Sequence, residues 1–348
     1  MQTPGISLRP VAQRSDHALM LQAVAAADEV RYATSPNPWV GAVLVTSDGR
    51  SFSGATEPAG GRHAEVVALE QARAAGADPS GGTLLVTLEP CHHHGRTPPC
   101  TDALVAAGVR RVVVATLDPD RRVSGRGIDA LRAAGIEVEL GVAAAEAEQQ
   151  LAAYLTHRRT GRPWVTLKLA ATLDGRTAAA DGSSRWITGE EARADAHRLR
   201  AEHDAVLVGA GTVRADDPAL TVRHVRGRDP LRVVLGHAPA GARVHPALEL
   251  SGPLPEVLAD LAERGVLTVL VEGGPTVARA FHHAGLVDRY VLYLAPAFMG
   301  GSDGAPVFAG AGAANVAELR RSRLLGVRQV GDDLRLDLAG APVPAVVV

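Results

Sequence analysis

Almost the whole chain alternates between short runs of β-branched and aliphatic residues and longer segments with apolar positions at helical spacing. A period of two buries its face in a sheet and a period near 3.6 buries it on a helix, so this alternation restricts the chain to an α/β fold with a largely parallel sheet. The spacing predicts a helix over 14–31 (RSDHALMLQAVAAADEVR), two short strands around the turn at Asp48-Gly49 (GAVLVTSDGRSFSG) and a helix, HAEVVALEQARAAG, capped at Gly76. TLLVTLEP then reads as a buried strand, TDALVAAGV as a helix, RRVVVATLDP as a strand, DALRAAG as a helix and IEVELG as a strand. An Ala/Glu/Gln-rich helix spans 143–155, and the polar HRRTGRPW (157–164), with its Gly and Pro, interrupts the pattern.

The pattern then restarts with WVTLKLAATLDG, the helix EEARADAHRLRAEH, the strands DAVLVGAGT and PLRVVLG, the helix PEVLADLAERG and the strand VLTVLVEGG. A helix (PTVARAFHHAG), a strand (RYVLYLAP) and a terminal pairing near LRLDLAG complete it, and the second half does not repeat the first. Since single cores usually stop growing at roughly 250–300 residues, the 348 residues are expected to form two domains, 1–156 and 163–348, joined by a linker at 157–162.

Composition removes several function classes. A net charge of −2 and 3% aromatic residues supply neither the basic stripe nor the stacking rings of a nucleic-acid surface. No apolar run approaches the ~20 residues of a membrane span, and MQTPGISLRPVAQRSDH lacks a signal peptide's apolar core, so a cytoplasmic protein is expected. Of the 36 basic residues only Lys168 is a lysine. Where arginine is otherwise used throughout, a lone lysine points to a need for a compact, titratable ammonium, against the alternative of a chance surface residue.

The only two cysteines, Cys91 and Cys100, are too few for a secreted disulfide framework. Cys91 follows a strand and a proline, downstream of His63-Ala64-Glu65 at a helix start. One imidazole and two thiolates suit Zn²⁺ and leave a fourth place for water, whose pKa the metal lowers. Glu65, beside the histidine but not a ligand, is placed to shuttle protons, as in the H-x-E…P-C signature of zinc deaminases. The competing reading is a closed structural zinc site with His92, His93 or His94 as fourth ligand. In the second half, G-A-G in VGAGT (208–212) is a weak dinucleotide signal. VEGGPT (271–276) is better, because a strand, two glycines and a helix start offer backbone N–H groups to a phosphate, although an ordinary turn reads the same way.

At these residues the sequence resembles the bifunctional deaminase/reductase family of riboflavin biosynthesis. The matching stretches are PNPWVGAV (36–43), GGRHAEVVAL (60–69) and VTLEPCHHHGRTPPC (86–100), in which eight residues separate the cysteines where most zinc deaminases have two. VTLKLAATLDGRTA (165–178), SSRWITG (183–189), LVGAGTVRADDPALTVR (207–223) and LVEGGPT (270–276) resemble the reductase half. The resemblance implies a cytidine-deaminase-like αβα sandwich followed by a dihydrofolate-reductase-like α/β domain. It implies zinc on His63, Cys91 and Cys100, with Glu65 as proton shuttle, and Asn37 beside the substrate's pyrimidine and ribose. A turn residue between two prolines is the alternative for Asn37.

For the second domain the resemblance implies NADPH contacts at Ala170, Trp186, Thr212, Asp216 and the helix start from Gly274, Pro275 and Thr276 to Ala280. It implies substrate contacts at Lys168, Ser184, Arg200, Leu220, Arg223 and Glu272. A reacting imine-like carbon wants a proton donor nearby, for which Lys168 and Glu272 are candidates, and the arginines suit a sugar phosphate. Solvated charges are the ordinary alternative for Arg200 and Arg223, and a core position for Trp186. The expected partner is a phosphoribosyl-pyrimidine, with a homo-oligomer plausible from paired sheets. The sequence departs from the family pattern at Asp120 and Arg121 in DPDRRVSGRG (118–127), at Gly236 where an acidic residue is usual, and in a short segment from Arg243 to Pro255. A deaminase for another pyrimidine, a zinc-stapled scaffold and a deaminase with a weakened reductase half are the alternatives that these departures keep open.

Overall fold

The structure, a computed structural model, describes residues 15–340 apart from positions 32, 96, 121 and 122. Arg121 and most of the N-terminal stretch read above therefore lie outside the described residues. The chain divides between Leu155 and Thr156 into two compact units.

In the first unit Ser15 caps helix α1 (Asp16–Glu29), its hydroxyl accepting from the Ala18 N–H at 3.3 Å. The expected hairpin is β1 (Gly41–Val45) with β2 (Ser51–Ala55), and helix α2 (Ala64–Ala74) is followed by Gly76 at φ 67°, a conformation glycine adopts without a Cβ clash. Then come β3 (Thr83–Leu88), α3 (Cys100–Ala106), β4 (Arg111–Thr116), α4 (Arg126–Ala133), β5 (Glu137–Leu140) and α5 (Ala144–Gln150). The sheet runs β2-β1-β3-β4-β5, with β1 antiparallel to both neighbours and β3, β4 and β5 parallel. It is thus mixed where the alternation predicts a largely parallel sheet: a tight turn suffices for β1–β2, whereas the helical crossovers make β3–β5 parallel. Val43, Leu85 and Val113 bury against Met20 and Ala23 of α1 and Ala147 of α5. The other helices, α2 to α4, form the second layer, α2 against β1 and β2 and α3 against both α2 and α4. Gly54 allows α2 to start hard against the sheet, for a Cβ there would lie 2.2 Å from the Ala64 carbonyl oxygen.

Helix α6 (Ala152–Thr160) runs past the helix end expected at 155: the polar stretch from 157 is helical to Thr160, because nothing in HRRT breaks a helix, and Gly161 at φ 71° follows it. The second unit continues through β6 (Trp164–Thr172), β7 (Arg176–Ala178), α7 (Glu190–Ala201), β8 (Ala205–Gly209), α8 (Ala210–Asp216), β9 (Leu231–Leu235) and β10 (Leu248–Leu250). It closes with α9 (Leu254–Glu263), β11 (Thr268–Val271), α10 (Pro275–His283), β12 (Arg289–Ala295), β13 (Ala305–Pro306), β14 (Leu324–Val330) and β15 (Asp333–Ala339). Eight strands run in the order β10-β9-β8-β11-β6-β12-β15-β14, parallel from β10 through β12 and antiparallel over the last two pairings.

Both faces of this sheet are buried. Val165, Leu167 and Leu169 of β6 pack with Leu258 of α9 and Phe281 of α10 on one side. On the other, Val206, Val208 and Tyr293 pack with Leu199 of α7 and Val213 of α8. The strand pleat therefore turns Lys168 and Ala170 toward the α7–α8 side, although β6 is apolar on both sides of them.

Candidate active sites

In the first unit the ends of two helices and one strand meet. His63 stands at the N-cap of α2, Glu65 in its first turn, Cys91 just past β3, and Cys100 opens α3. His63 Nδ1 lies 3.1 Å from Cys100 Sγ and 3.6 Å from Cys91 Sγ, and the Cys100 N–H donates to Cys91 Sγ at 3.4 Å. The three ligand atoms all fall within 4.8 Å of one another. His92, from the histidine run, instead pairs its Nδ1 with Thr101 Oγ1 at 2.9 Å. Among the described residues the converging group has three members, the number that catalytic rather than closed structural zinc sites carry.

The electrostatics fit that donor set. A hydrogen bond from Cys100, outweighing burial, pulls the Cys91 thiol well below its ordinary value, and the same contact with burial pushes the Cys100 thiol up. The two sulfurs share a proton that a bound cation would displace. Glu65 is 3% exposed, and burial followed by the charge of Cys91 raises its carboxyl above the ordinary range. A carboxyl pushed toward neutrality both accepts and returns protons.

One carboxylate here was missed by reading the sequence. Glu89, 4% exposed at the end of β3, accepts N–H bonds from Gly125 and Gly127 at 2.9 Å each, Asp118 at 3.3 Å and Ile128 at 3.4 Å. Gly125 is the N-cap of α4 and has no side chain to cap it, so Glu89 satisfies the helix's orphan donors from another element. Gly127 makes the approach feasible, since a Cβ there would lie 2.0 Å from the Pro90 carbonyl oxygen. Asp118 in turn accepts from the Tyr154 hydroxyl at 3.0 Å and, through its other oxygen, from the Asp120 N–H at 2.9 Å. The loop bearing the Asp120 departure is therefore fixed at both ends next to the metal-ligand turn. A charge buried between Leu88 and Pro90, with two glycines downstream, was the available signal. Asn37 sits in a turn: its N–H donates to the Thr34 carbonyl at 2.9 Å and its own carbonyl accepts from Thr34 Oγ1 at 3.1 Å.

In the second unit two clefts of about 580 and 750 Å³ adjoin at the C-terminal ends of β8 and β11. The larger is lined by Ala170, Trp186, Thr212, Asp216, Gly274, Pro275 and Thr276. The smaller is lined by Arg200, Leu220 and Arg223, and both share Lys168, Ser184, Trp186, Thr212, Asp216 and Glu272. Ala280, the far end of the helix start read above, does not line either cleft. Trp186 is 69% exposed, with the Arg193 guanidinium 4.6 Å over its ring, so it is not the core residue that its type would suggest. Thr212 Oγ1 accepts from the Gly274 N–H at 3.2 Å, which ties α8 to the start of α10. Gly236 sits at φ 93°, a left-handed backbone in which an acidic residue would be strained, and the short segment from Arg243 contains β10.

Glu272 accepts from Arg200 Nε at 2.6 Å and Nη2 at 3.1 Å, with Lys168 Nζ at 4.0 Å. Burial opposes its charge, but the Arg200 guanidinium and then Lys168 outweigh this and hold its carboxyl down to about 2. For Lys168 burial dominates over the attraction of Glu272 and lowers the ammonium below its ordinary value. Of the two candidate proton donors, Glu272 is thus fully ionised at neutral pH, which leaves Lys168 as the candidate.

Two domain families match the chain: the RibD C-terminal domain over residues 163–336 and the cytidine and deoxycytidylate deaminase zinc-binding region over residues 13–116. The riboflavin biosynthesis protein RibD of Mycobacterium tuberculosis is 47% identical over 326 residues, covering 89% of this chain and 93% of the relative. The chain belongs to the RibD family of riboflavin biosynthesis proteins. The Escherichia coli member is 39% identical over 94% of this chain and the whole of the relative. Solved structures agree: Acinetobacter baumannii RibD superposes with a TM-score of 0.87 at 39% identity, covering 94% of this chain and 99% of that one. A Thermotoga maritima protein described as a diaminohydroxyphosphoribosylaminopyrimidine deaminase/5-amino-6-(5-phosphoribosylamino)uracil reductase superposes at 0.85, with 35% identity over 93% of this chain and 98% of that one. The fold is accordingly a cytidine-deaminase-like unit followed by a RibD reductase unit, and the His63, Cys91 and Cys100 donor set fits the zinc of the first. No helix among the described residues is long and apolar enough to cross a membrane.

Proposed function

We propose that this RibD-family chain catalyses two consecutive steps of riboflavin biosynthesis. A deaminase domain over 1–156 hydrolyses 2,5-diamino-6-(5-phosphoribosylamino)pyrimidin-4-one with release of ammonia, and a reductase domain over 163–348 reduces the ribosyl group to ribityl with NADPH. The observation that carries the reading is the pair of sites on one chain: a three-donor His/Cys/Cys cluster beside a buried carboxyl, and two adjoining clefts that share Lys168 and Glu272.

His63, Cys91 and Cys100 would hold the zinc, which when bound supplies Lewis-acid activation of water. Glu65 takes one proton of the water as its oxygen adds to the amino-bearing ring carbon and passes it to the ring nitrogen; it then carries the new hydroxyl's proton to the amine, so that the carbonyl forms, the C–N bond breaks and ammonia leaves. NADPH supplies the hydride in the second step. Thr212, Trp186 and the Gly274–Thr276 turn line the cofactor cleft, and Arg200, Arg223, Ser184 and Leu220 receive the phosphorylated intermediate. Lys168 gives its proton to the imine nitrogen as the hydride adds to the ribosyl carbon bonded to it, and Glu272 keeps the Lys168 ammonium and the Arg200 guanidinium in place. Exposed Leu324, Leu325 and Val327 along the edge strand β14 support a homo-oligomer, and two free thiols suit a reducing, cytoplasmic compartment.

The test is a two-stage assay of the zinc-loaded protein. Ammonia should appear with the diaminopyrimidinone substrate, and NADPH absorbance should then fall. Ammonia without NADPH oxidation on the deaminated intermediate removes the reductase assignment, and no ammonia removes the deaminase assignment.

A further inference from the structure

One buried histidine of the smaller cleft has no part in the chemistry above. Helix α7 presents Arg193, Ala196, His197 and Arg200 to that cleft, residues three and four apart that share one helical face. His197 is 6% exposed, and its Nδ1 accepts the main-chain N–H of Arg223 at 3.0 Å. An N–H donor at Nδ1 requires a lone pair there, so the ring is the neutral tautomer with its proton on Nε2. Burial first, then the charges of Arg200 and Arg223, depress its imidazolium to about 4, which keeps the ring neutral.

The loop that His197 holds is strained. Asp217, Leu220 and His224 all have left-handed backbones, at φ 41°, 54° and 66°, in residues that ordinarily avoid them. Such a loop persists only where its surroundings over-determine it. Here Arg200 Nη1 donates to the Thr221 carbonyl at 3.1 Å, Asp229 accepts from the Val222 N–H at 2.7 Å, and His197 fixes Arg223. The Arg223 side chain then bonds Thr221 Oγ1 at 3.0 Å and lines the cleft.

We infer that His197 is a positioning residue for the reductase, its Nδ1 locking the 217–224 loop so that Arg223 faces the substrate's phosphate. The inference rests on the assignment of the smaller cleft to the phosphorylated intermediate. His197→Leu removes the acceptor, His197→Asn restores an oxygen near the position of Nδ1, and His197→Gln places its amide nearer Nε2. With the deaminated intermediate, KM is expected to rise about five- to tenfold in His197→Leu and His197→Gln, the effect of one lost hydrogen bond. It should return to within about twofold in His197→Asn, while kcat and the KM for NADPH hold within about twofold throughout.

The kcat held by each variant reports that the second unit is folded. If the wild-type protein oxidises no NADPH, the cleft assignment fails. If it does, then an unchanged KM in His197→Leu, an equal rise in the KM for NADPH, or a failure of His197→Asn to do better than His197→Gln overturns the positioning role.

Discussion

Replacing Glu89 by Gln tests whether a single carboxylate holds the loop beside the metal-ligand turn. Glu89 Oε2 serves Gly125 and Asp118, at 2.9 and 3.3 Å, and Oε1 serves Gly127 and Ile128, at 2.9 and 3.4 Å. Whichever way a glutamine amide turns, its NH₂ group meets one of these pairs of N–H donors, so one short and one long bond are lost. A buried donor left unsatisfied costs about 1–3 kcal/mol, so the loop and the first turn of α4 lose about 2–4 kcal/mol against opening. Through the linkage of local opening to exchange, the amides of Asp118, Gly125, Gly127 and Ile128 should exchange on the order of 30- to 1000-fold faster. Hydrogen-exchange mass spectrometry on peptides spanning 117–128 reads this directly, with β8 in the second unit as the unchanged comparison. Zinc content should stay the same, because Glu89 contributes no ligand. Acceleration below about threefold, or equal acceleration in β8, would refute the reasoning.

Glu65→Gln should lower ammonia release by roughly two to four orders of magnitude, the usual loss of a general acid–base group. Zinc content and NADPH oxidation on pre-deaminated intermediate should be unaffected; retained ammonia release would remove Glu65 as the proton shuttle. The kcat of the reductase should fall as pH rises through a value below 10.5, because burial makes the Lys168 ammonium lose its proton earlier than an ordinary lysine and the donor must be protonated. Glu272→Gln removes the charge that favours that ammonium, so the alkaline limb should move to lower pH; a limb unmoved or moved upward in the kcat–pH profile contradicts the assignment.

What was legible in the sequence was what rare residues and strong periodicity carry. His63, Cys91 and Cys100 stood out because soft ligands are scarce in this chain and two of them follow a strand, and Lys168 stood out as the only lysine. Elements missed were those whose reason is not local. Helix α8 is seven residues beginning Ala-Gly-Thr, which read as the end of the strand DAVLVGAGT; β8 stops at Gly209, and Val213 takes a place in the core from the helix. Strand β10 has three residues and exists because β9 lies beside it. Glu89 and His197 are ordinary in sequence, since their partners, Gly127 and Arg223, lie 38 and 26 residues away and meet them only in the folded chain. The helix end expected at 155 was missed for the opposite reason: HRRT is polar, and polarity alone does not stop a helix.

X-ray absorption at the zinc edge of the purified protein tests most directly whether three side chains hold a divalent ion in the first unit. One zinc per chain is predicted, with two sulfurs at about 2.3 Å and two nitrogen or oxygen neighbours near 2.0–2.1 Å. One of those neighbours should exchange for an added anion while the other, His63, stays. A metal-free protein, or a zinc whose four neighbours are all side chains and none of which exchanges, would contradict it.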